Sequence, residues 1–260
     1  MRYEIDTIPV WDALKTDCEC WMCLLEVKAR NQALKYYLGP SVMTPETRVE
    51  VNAQGFSPDH WRLLAKDPNR QGLGLIVSTH LRTLRGKIQE STQELLKQAK
   101  KLSAKSGVGA LMASKEPVKK NIQELVEFID REESSCLIQD RIQEALGRYS
   151  FTAAHLYLKD PDFPVALKKS RGPCLPHLQH LLKMGLEVLP PRELGFWTTE
   201  LLELTGKNLE RLENEVVHFT QMFDSKNAHA DWGNTKDSPG RAIQKITGAF
   251  KERDEGRGRI

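Results

Sequence analysis

No uncharged apolar run in this 260-residue chain approaches the roughly 18 residues that a membrane-spanning helix needs. A surplus of one charge sign is missing as well. Lys and Arg number 38 against 35 Asp and Glu, and a formal net charge of +3 is too small to be the footprint of a nucleic-acid binder. The chain has no glycine-rich phosphate loop, no G-x-S-x-G, no H-E-x-x-H and no C-x-x-C-H, so the usual nucleotide, serine-hydrolase, metalloprotease and haem-attachment signatures are absent. The first residues, "MRYEIDTIPVWDALK", place Glu4, Asp6 and Asp12 where a secretory leader would be basic and then apolar. Cysteine is sparse: five residues, an odd number, do not form a full set of disulfides. The expectation is a cytoplasmic protein whose cysteines are thiols or metal ligands.

What is present is the material of a globular protein, 40% hydrophobic and 28% charged, long enough for one large domain or two small ones. Helical periodicity runs through it. Leu25, Ala29, Ala33, Tyr36 and Tyr37 recur at helical steps until Gly39 and Pro40 stop the run. Thr44 before Pro45 and Ser57 before Pro58 are caps with proline at the first helical position, and Gly55 closes the first of these short helices. Leu73, Ile76, Leu81, Leu84, Ile88, Leu95 and Leu102 form the stripe of a long helix with one buried face. After the small, glycine-containing stretch "SAKSGVGALMASKE" a similar order of elements returns, ending in an amphipathic run from Leu194 to Phe223. The fold class expected is all-α, with a first helical repeat over 1–105, a linker over 106–116, a second repeat over 117–251 and a flexible tail over 252–260. The two repeats are expected to pack as one pseudo-symmetric helical body.

The repeat carries chemistry. At one constant spacing Cys20 lies opposite Cys136, Pro45 opposite Pro161 and Val49 opposite Val165; one residue further on, Gly55 meets Gly172 and His60 meets His177. Overlaying the halves gives an ideal C-x2-C followed by C-x2-H, each half having lost one ligand: Ser57 and Gln139 stand where the pattern has cysteine. A C-x2-C turn presents two thiolates to one ion, and a C-x2-H pair at a helix start supplies two further corners of a tetrahedron. Helix N-termini also favour thiolate over thiol. Read along the chain, the first site is Cys20, Cys23 and His60, with Cys18, Asp59 or water as fourth ligand. The second is Cys136, Cys174 and His177, with His180 or Asp140 in reserve, and reads as a relict. Zinc at one site suits these soft ligands, and iron fits the same argument.

With "TIP" at Thr7 to Pro9, Cys20, Cys23, "GFSPDH" at Gly55 to His60, Cys136, "CLPH" at Cys174 to His177 and the tail "DWGNTKDSPGRAIQKITG", the chain resembles a bacterial family of unknown function with paired C-x2-C and C-x2-H repeats. The resemblance covers nearly the whole chain and implies no reaction.

The remaining candidates have plainer readings. Trp11, Trp21 and Trp61 read as core, and His229, Asp231 and Trp232 as a polar loop after a long helix rather than acid–base machinery. The functional expectation is a non-enzymatic helical protein with a degenerate structural metal site, acting as a scaffold or binding module for a protein partner. A thiol-redox or metal-handling role for Cys18, Cys20 and Cys23 is the second reading. Nucleic-acid binding through lysine-rich helices such as "LLKQAKKLSAK" is the third, and the charge balance opposes it.

Overall fold

A computed structural model of the chain describes residues 2–106, 114–227 and 230–248. Among these residues there are eleven α-helices and no strand. In chain order they are α1 (Arg2–Lys15), α2 (Trp21–Leu38), α3 (Pro45–Gln54), α4 (Pro58–Lys66), α5 (Arg70–Ser103), α6 (Glu116–Ser134), α7 (Leu137–Lys159), α8 (Asp162–Lys169), α9 (Leu175–Val188), α10 (Pro191–Gln221) and α11 (Ser238–Thr247). No helix among the described residues is long and apolar enough to cross a membrane.

The all-α expectation holds, and the proline-marked starts fall where capping chemistry puts them: Thr44 caps α3 and Ser57 caps α4, both with extended backbone angles. Two helices escape the periodicity reading. Helix α1 contains Pro9, a residue that ordinarily argues against a helix interior. Helix α11 is short and buries Ser238 and Lys245, residue types that read as solvated in sequence. Residues 107–113 of the expected linker, all of the expected tail, and His229 lie outside the described residues.

The chain divides into two compact units, Met1–Ala29 with Ile142–Ile260, and Arg30–Arg141. The first unit is made from the two end portions of the chain and the second from its middle. In the first, Trp197 is fully buried, donates its indole N–H to the Leu181 carbonyl at 3.2 Å and packs edge-on against Tyr157 at 4.9 Å. Gly185 makes this approach possible, since a Cβ there would come within 2.8 Å of the Trp197 ring. Trp21 is buried, in keeping with its reading as core, while Trp11 is half-buried and meets Phe163 edge-on at 5.4 Å in the same unit. In the second unit Tyr37, Phe56, Trp61 and His80 form a chain of ring contacts between 4.9 and 5.6 Å.

Candidate metal centre

Two helix starts of the first unit meet. Cys20 immediately precedes α2 and Cys23 lies in its first turn, closed by a hydrogen bond from the Cys23 amide to the Cys20 carbonyl at 3.1 Å. Cys174 caps α9, and Pro176 fixes the turn that brings His177 round beneath it. The approach to this cap runs through Gly172, whose φ of +70° favours glycine and whose missing Cβ would strike Leu204 at 2.9 Å. Ligand atoms of Cys20, Cys23, Cys174 and His177 all lie within 4.8 Å of one another, and all four residues are buried.

Three of the four separations match a tetrahedral zinc site and the fourth, Cys174 Sγ to His177 Nδ1 at 3.0 Å, is shorter. Zinc bonds of about 2.3 Å to sulfur and about 2.0 Å to nitrogen place sulfur pairs about 3.8 Å apart and sulfur–nitrogen pairs about 3.5 Å apart. Cys23 Sγ is 3.7 Å from Cys174 Sγ, and His177 Nδ1 is 3.4 Å from Cys20 Sγ, 3.5 Å from Cys23 Sγ and 3.0 Å from Cys174 Sγ. The other ring nitrogen, Nε2, faces Glu26 Oε2 at 3.6 Å. A carboxylate behind a ligating imidazole fixes its orientation and raises its basicity. Glu26 sits one residue short of a helical turn beyond Cys23, so α2 supplies both ligand and buttress.

Electrostatics point the same way. Burial would raise the Cys20 thiol, yet contacts from Cys174, Cys23 and His177 hold it well below the ordinary range. Cys23 is driven far upward by hydrogen bonding to Cys174 and Cys20 and by burial. Burial would lower the His177 ring, but Cys174 and Cys20 outweigh it and raise it to about 10. Packed this closely, Cys23 and the His177 ring hold their protons beside an ionised Cys20; a divalent cation here would favour thiolate and neutral imidazole instead.

A buried polar clamp holds the two ligand-bearing segments. Lys245 of α11, fully buried, donates to the Glu19 carbonyl at 2.8 Å, to the Gly172 carbonyl at 3.4 Å and to the Arg171 carbonyl. The Glu19 carboxylate, also buried, accepts from Arg171 at 2.7 Å, Arg211 at 2.5 Å and Arg241 at 3.1 Å. Glu19 adjoins Cys20, and Gly172 lies two residues before Cys174. One ammonium and three guanidiniums therefore fix both approaches to the centre.

The sequence grouped Cys20 and Cys23 with His60 and Cys18; among the described residues Cys20 and Cys23 lie with Cys174 and His177, a set that could hold a metal ion. Cys18 instead lines a surface cavity of about 350 Å³ with Lys15, Lys169 and Arg171. His60 belongs to the other unit, where its Nδ1 lies 3.1 Å from Cys136 Sγ and 3.0 Å from Ser57 Oγ. Cys136 is thus separated from Cys174 and His177 in the same way. None of the reserve ligands enters either set: Asp59 pairs with Arg62 at 2.8 Å, Asp140 accepts from Gln54, and His180 packs 6.2 Å from His177, ring to ring. A linear reading joins motifs that are neighbours along the chain, whereas the cluster joins Cys20 and Cys23 to a motif about 150 residues away, Cys23 and Cys174 being 151 residues apart. Glu26, Glu19 and Lys245 went unnoticed in the sequence; only Glu26, one turn from Cys23, carried a local signal there.

No curated protein and no solved structure matches the chain. The model of a family of unknown function (DUF6062) matches residues 1–253, and the chain belongs to that family.

Proposed function

We propose that Cys20, Cys23, Cys174 and His177 hold a structural zinc ion, and that the protein is a non-enzymatic helical scaffold or partner-binding module of a reducing, cytoplasmic compartment. The tetrahedral spacing of three sulfurs and one ring nitrogen carries this reading. A four-ligand set leaves no position for substrate or water, which is the pattern of structural rather than catalytic zinc. The ion staples the start of α2 to the start of α9, segments about 150 residues apart along the chain, as the 151-residue separation of Cys23 and Cys174 records. The crossed use of the two motifs also supports descent of the chain from a duplicated helical repeat. Metal analysis of untagged protein purified under reducing conditions should find one zinc per chain. Absence of tightly held metal, or its full retention after Cys20 and Cys23 are both replaced by Ser, would sink the assignment.

A second reading, thiol chemistry, is favoured by one observation, and at a different cysteine from those the sequence suggested. Burial raises the Cys136 thiol, but His60, Ser57 and the Gln139 amide outweigh it and bring it down to about 7. Burial pushes Cys18 up to about 11. Cys136 is buried and Cys18 is the more exposed thiol, so the readout is the pH profile and not the absolute rate: iodoacetamide labelling of Cys136 should rise most steeply between pH 6 and 8. A Cys136 rate that rises only above pH 9, read by peptide mass spectrometry, would remove the basis for this reading.

A further inference from the structure

We infer that Ser57, His60, Cys136 and Gln139 are a second copy of the metal centre, built on the same backbone, in which hydrogen bonds hold together what an ion holds in the first. The inference rests on reading the first cluster as a metal centre.

The correspondence runs position by position. Cys136 immediately precedes α7 as Cys20 immediately precedes α2. Ser57 caps α4 with φ −62° and ψ 157°, and Cys174 caps α9 with φ −74° and ψ 166°. Two residues before each cap stands a glycine at positive φ, Gly55 at 74° and Gly172 at 70°. In each a Cβ would collide at 2.9 Å with a side chain of the following long helix, His80 of α5 or Leu204 of α10. Each cap is followed by proline-assisted first turns that bury a histidine three residues on, His60 or His177.

Two separations within the clusters correspond too. The cap-to-imidazole edge is 3.0 Å in both, from Ser57 Oγ to His60 Nδ1 and from Cys174 Sγ to His177 Nδ1. The edge from the pre-helix thiol to the same ring nitrogen is 3.1 Å for Cys136 and 3.4 Å for Cys20. The fourth corner differs most: Cys23 is buried and Gln139 is exposed, leaving only its backbone amide, 3.4 Å from Cys136 Sγ. A neutral hydroxyl and an amide are poor zinc ligands, so one thiol and one imidazole do not make a tight site. The imidazole and the amide instead satisfy the Cys136 sulfur directly, and the glycine turn, cap and buried histidine persist because they pack the core of this unit.

The geometry for a zinc-type dication is therefore present and only its ligands are wanting. Full-length protein carrying Ser57→Cys and Gln139→Cys, refolded or expressed with zinc, should hold two ions per chain against one in the unmodified protein. Cobalt substitution should double the thiolate charge-transfer absorption per chain. Gln139→Cys alone, at an exposed position that tolerates change, restores three of the four ligands and should bind a second cobalt that His60→Gln abolishes. If both variants melt cooperatively and still hold one ion, the inference is wrong. A double variant that does not fold leaves the decision to the single variant. An unmodified chain with no ion would overturn the reading of the first centre on which the inference rests, whereas variants that fail to gain an ion beside a one-ion unmodified chain overturn the inference alone.

Discussion

Removing zinc, or replacing Cys174 or Cys23 by Ser, is expected to lower the melting temperature by roughly 10 °C, the largest effect of any change at a single group in the first unit. The magnitude follows from linkage: a ligand at 1,000 times its dissociation constant stabilises the folded state by about 4 kcal/mol, and for a chain of this size each kcal/mol moves Tm by about 2–4 °C. Loss of a thiolate should cost at least this much, because Cys174 is fully buried and a serine there would leave a buried polar group without the proposed ion as its partner. The sign with pH follows from the ligands. A zinc ion held as proposed would be bound by thiolates and neutral imidazole, so protons would compete and the stabilisation would fade as pH falls. Cys136→Ser tests whether the effect belongs to the centre: its sulfur contacts only His60, Ser57 and the Gln139 amide among the polar groups described for it, so its Tm should stay chelator-sensitive by the same amount as the unmodified chain. Differential scanning calorimetry with and without a chelator separates the cases, and a Tm indifferent to chelation in the unmodified protein would refute a structural ion.

The clustered cysteines and histidine stood out in the sequence while their grouping did not, and the difference is one of range. Cysteine spacing, a proline after a capping residue and a glycine before it are local signals, and Cys20, Cys23, Cys174, His177, His60 and Cys136 were all identified from them. Which pair faces which is decided by how α2 and α9 pack, with Cys20 and His177 separated by 157 residues. Periodicity reports the buried face of a helix and says nothing about its neighbour. The same limit hid α11. Its buried Lys245 and Ser238 are polar, and nothing in a run of "SPGRAIQKIT" announces that an ammonium is needed to bind the Glu19, Arg171 and Gly172 carbonyls. Glu19 itself, inside "DCECWMC", reads as one more surface acid until three arginines from elsewhere in the chain converge on it.

That convergence makes Glu19→Ala the second large effect expected. The carboxylate side chain is 3% exposed, and it is the shared acceptor of Arg171, Arg211 and Arg241. Removing one partner of a buried ionic network typically costs about 3–5 kcal/mol, because the opposite charges remain buried without compensation. The lower end applies here. Arg211 and Arg241 keep Glu215 at 2.7 and 2.5 Å, Arg171 keeps Asp17 at 2.7 Å, and two of the three arginines are 30% exposed. A loss of about 3 kcal/mol corresponds to a fall in Tm of roughly 6–12 °C. Burial would raise the Glu19 carboxyl, but the three arginines outweigh it and hold it below its ordinary value of 4.5. A depressed carboxyl contributes stability that is fully present above that ordinary value and is lost as pH falls through the lower folded value. The Tm gap between the unmodified protein and Glu19→Ala should therefore be constant from pH 6 to 8 and close in acid below the ordinary carboxylate range. Zinc affinity should fall as well, by about 10- to 100-fold, the usual cost of losing a partner that orients a ligand, because the Glu19 backbone precedes Cys20 and Arg171 leads into Gly172 and Cys174. Lys245→Met should reproduce the affinity loss without the acid dependence, since Lys245 binds carbonyls and not the Glu19 carboxylate. Unchanged zinc affinity in both variants, measured by competition with a chromophoric chelator, would show that the centre is preorganised by α2 and α9 alone and that the clamp contributes only to stability.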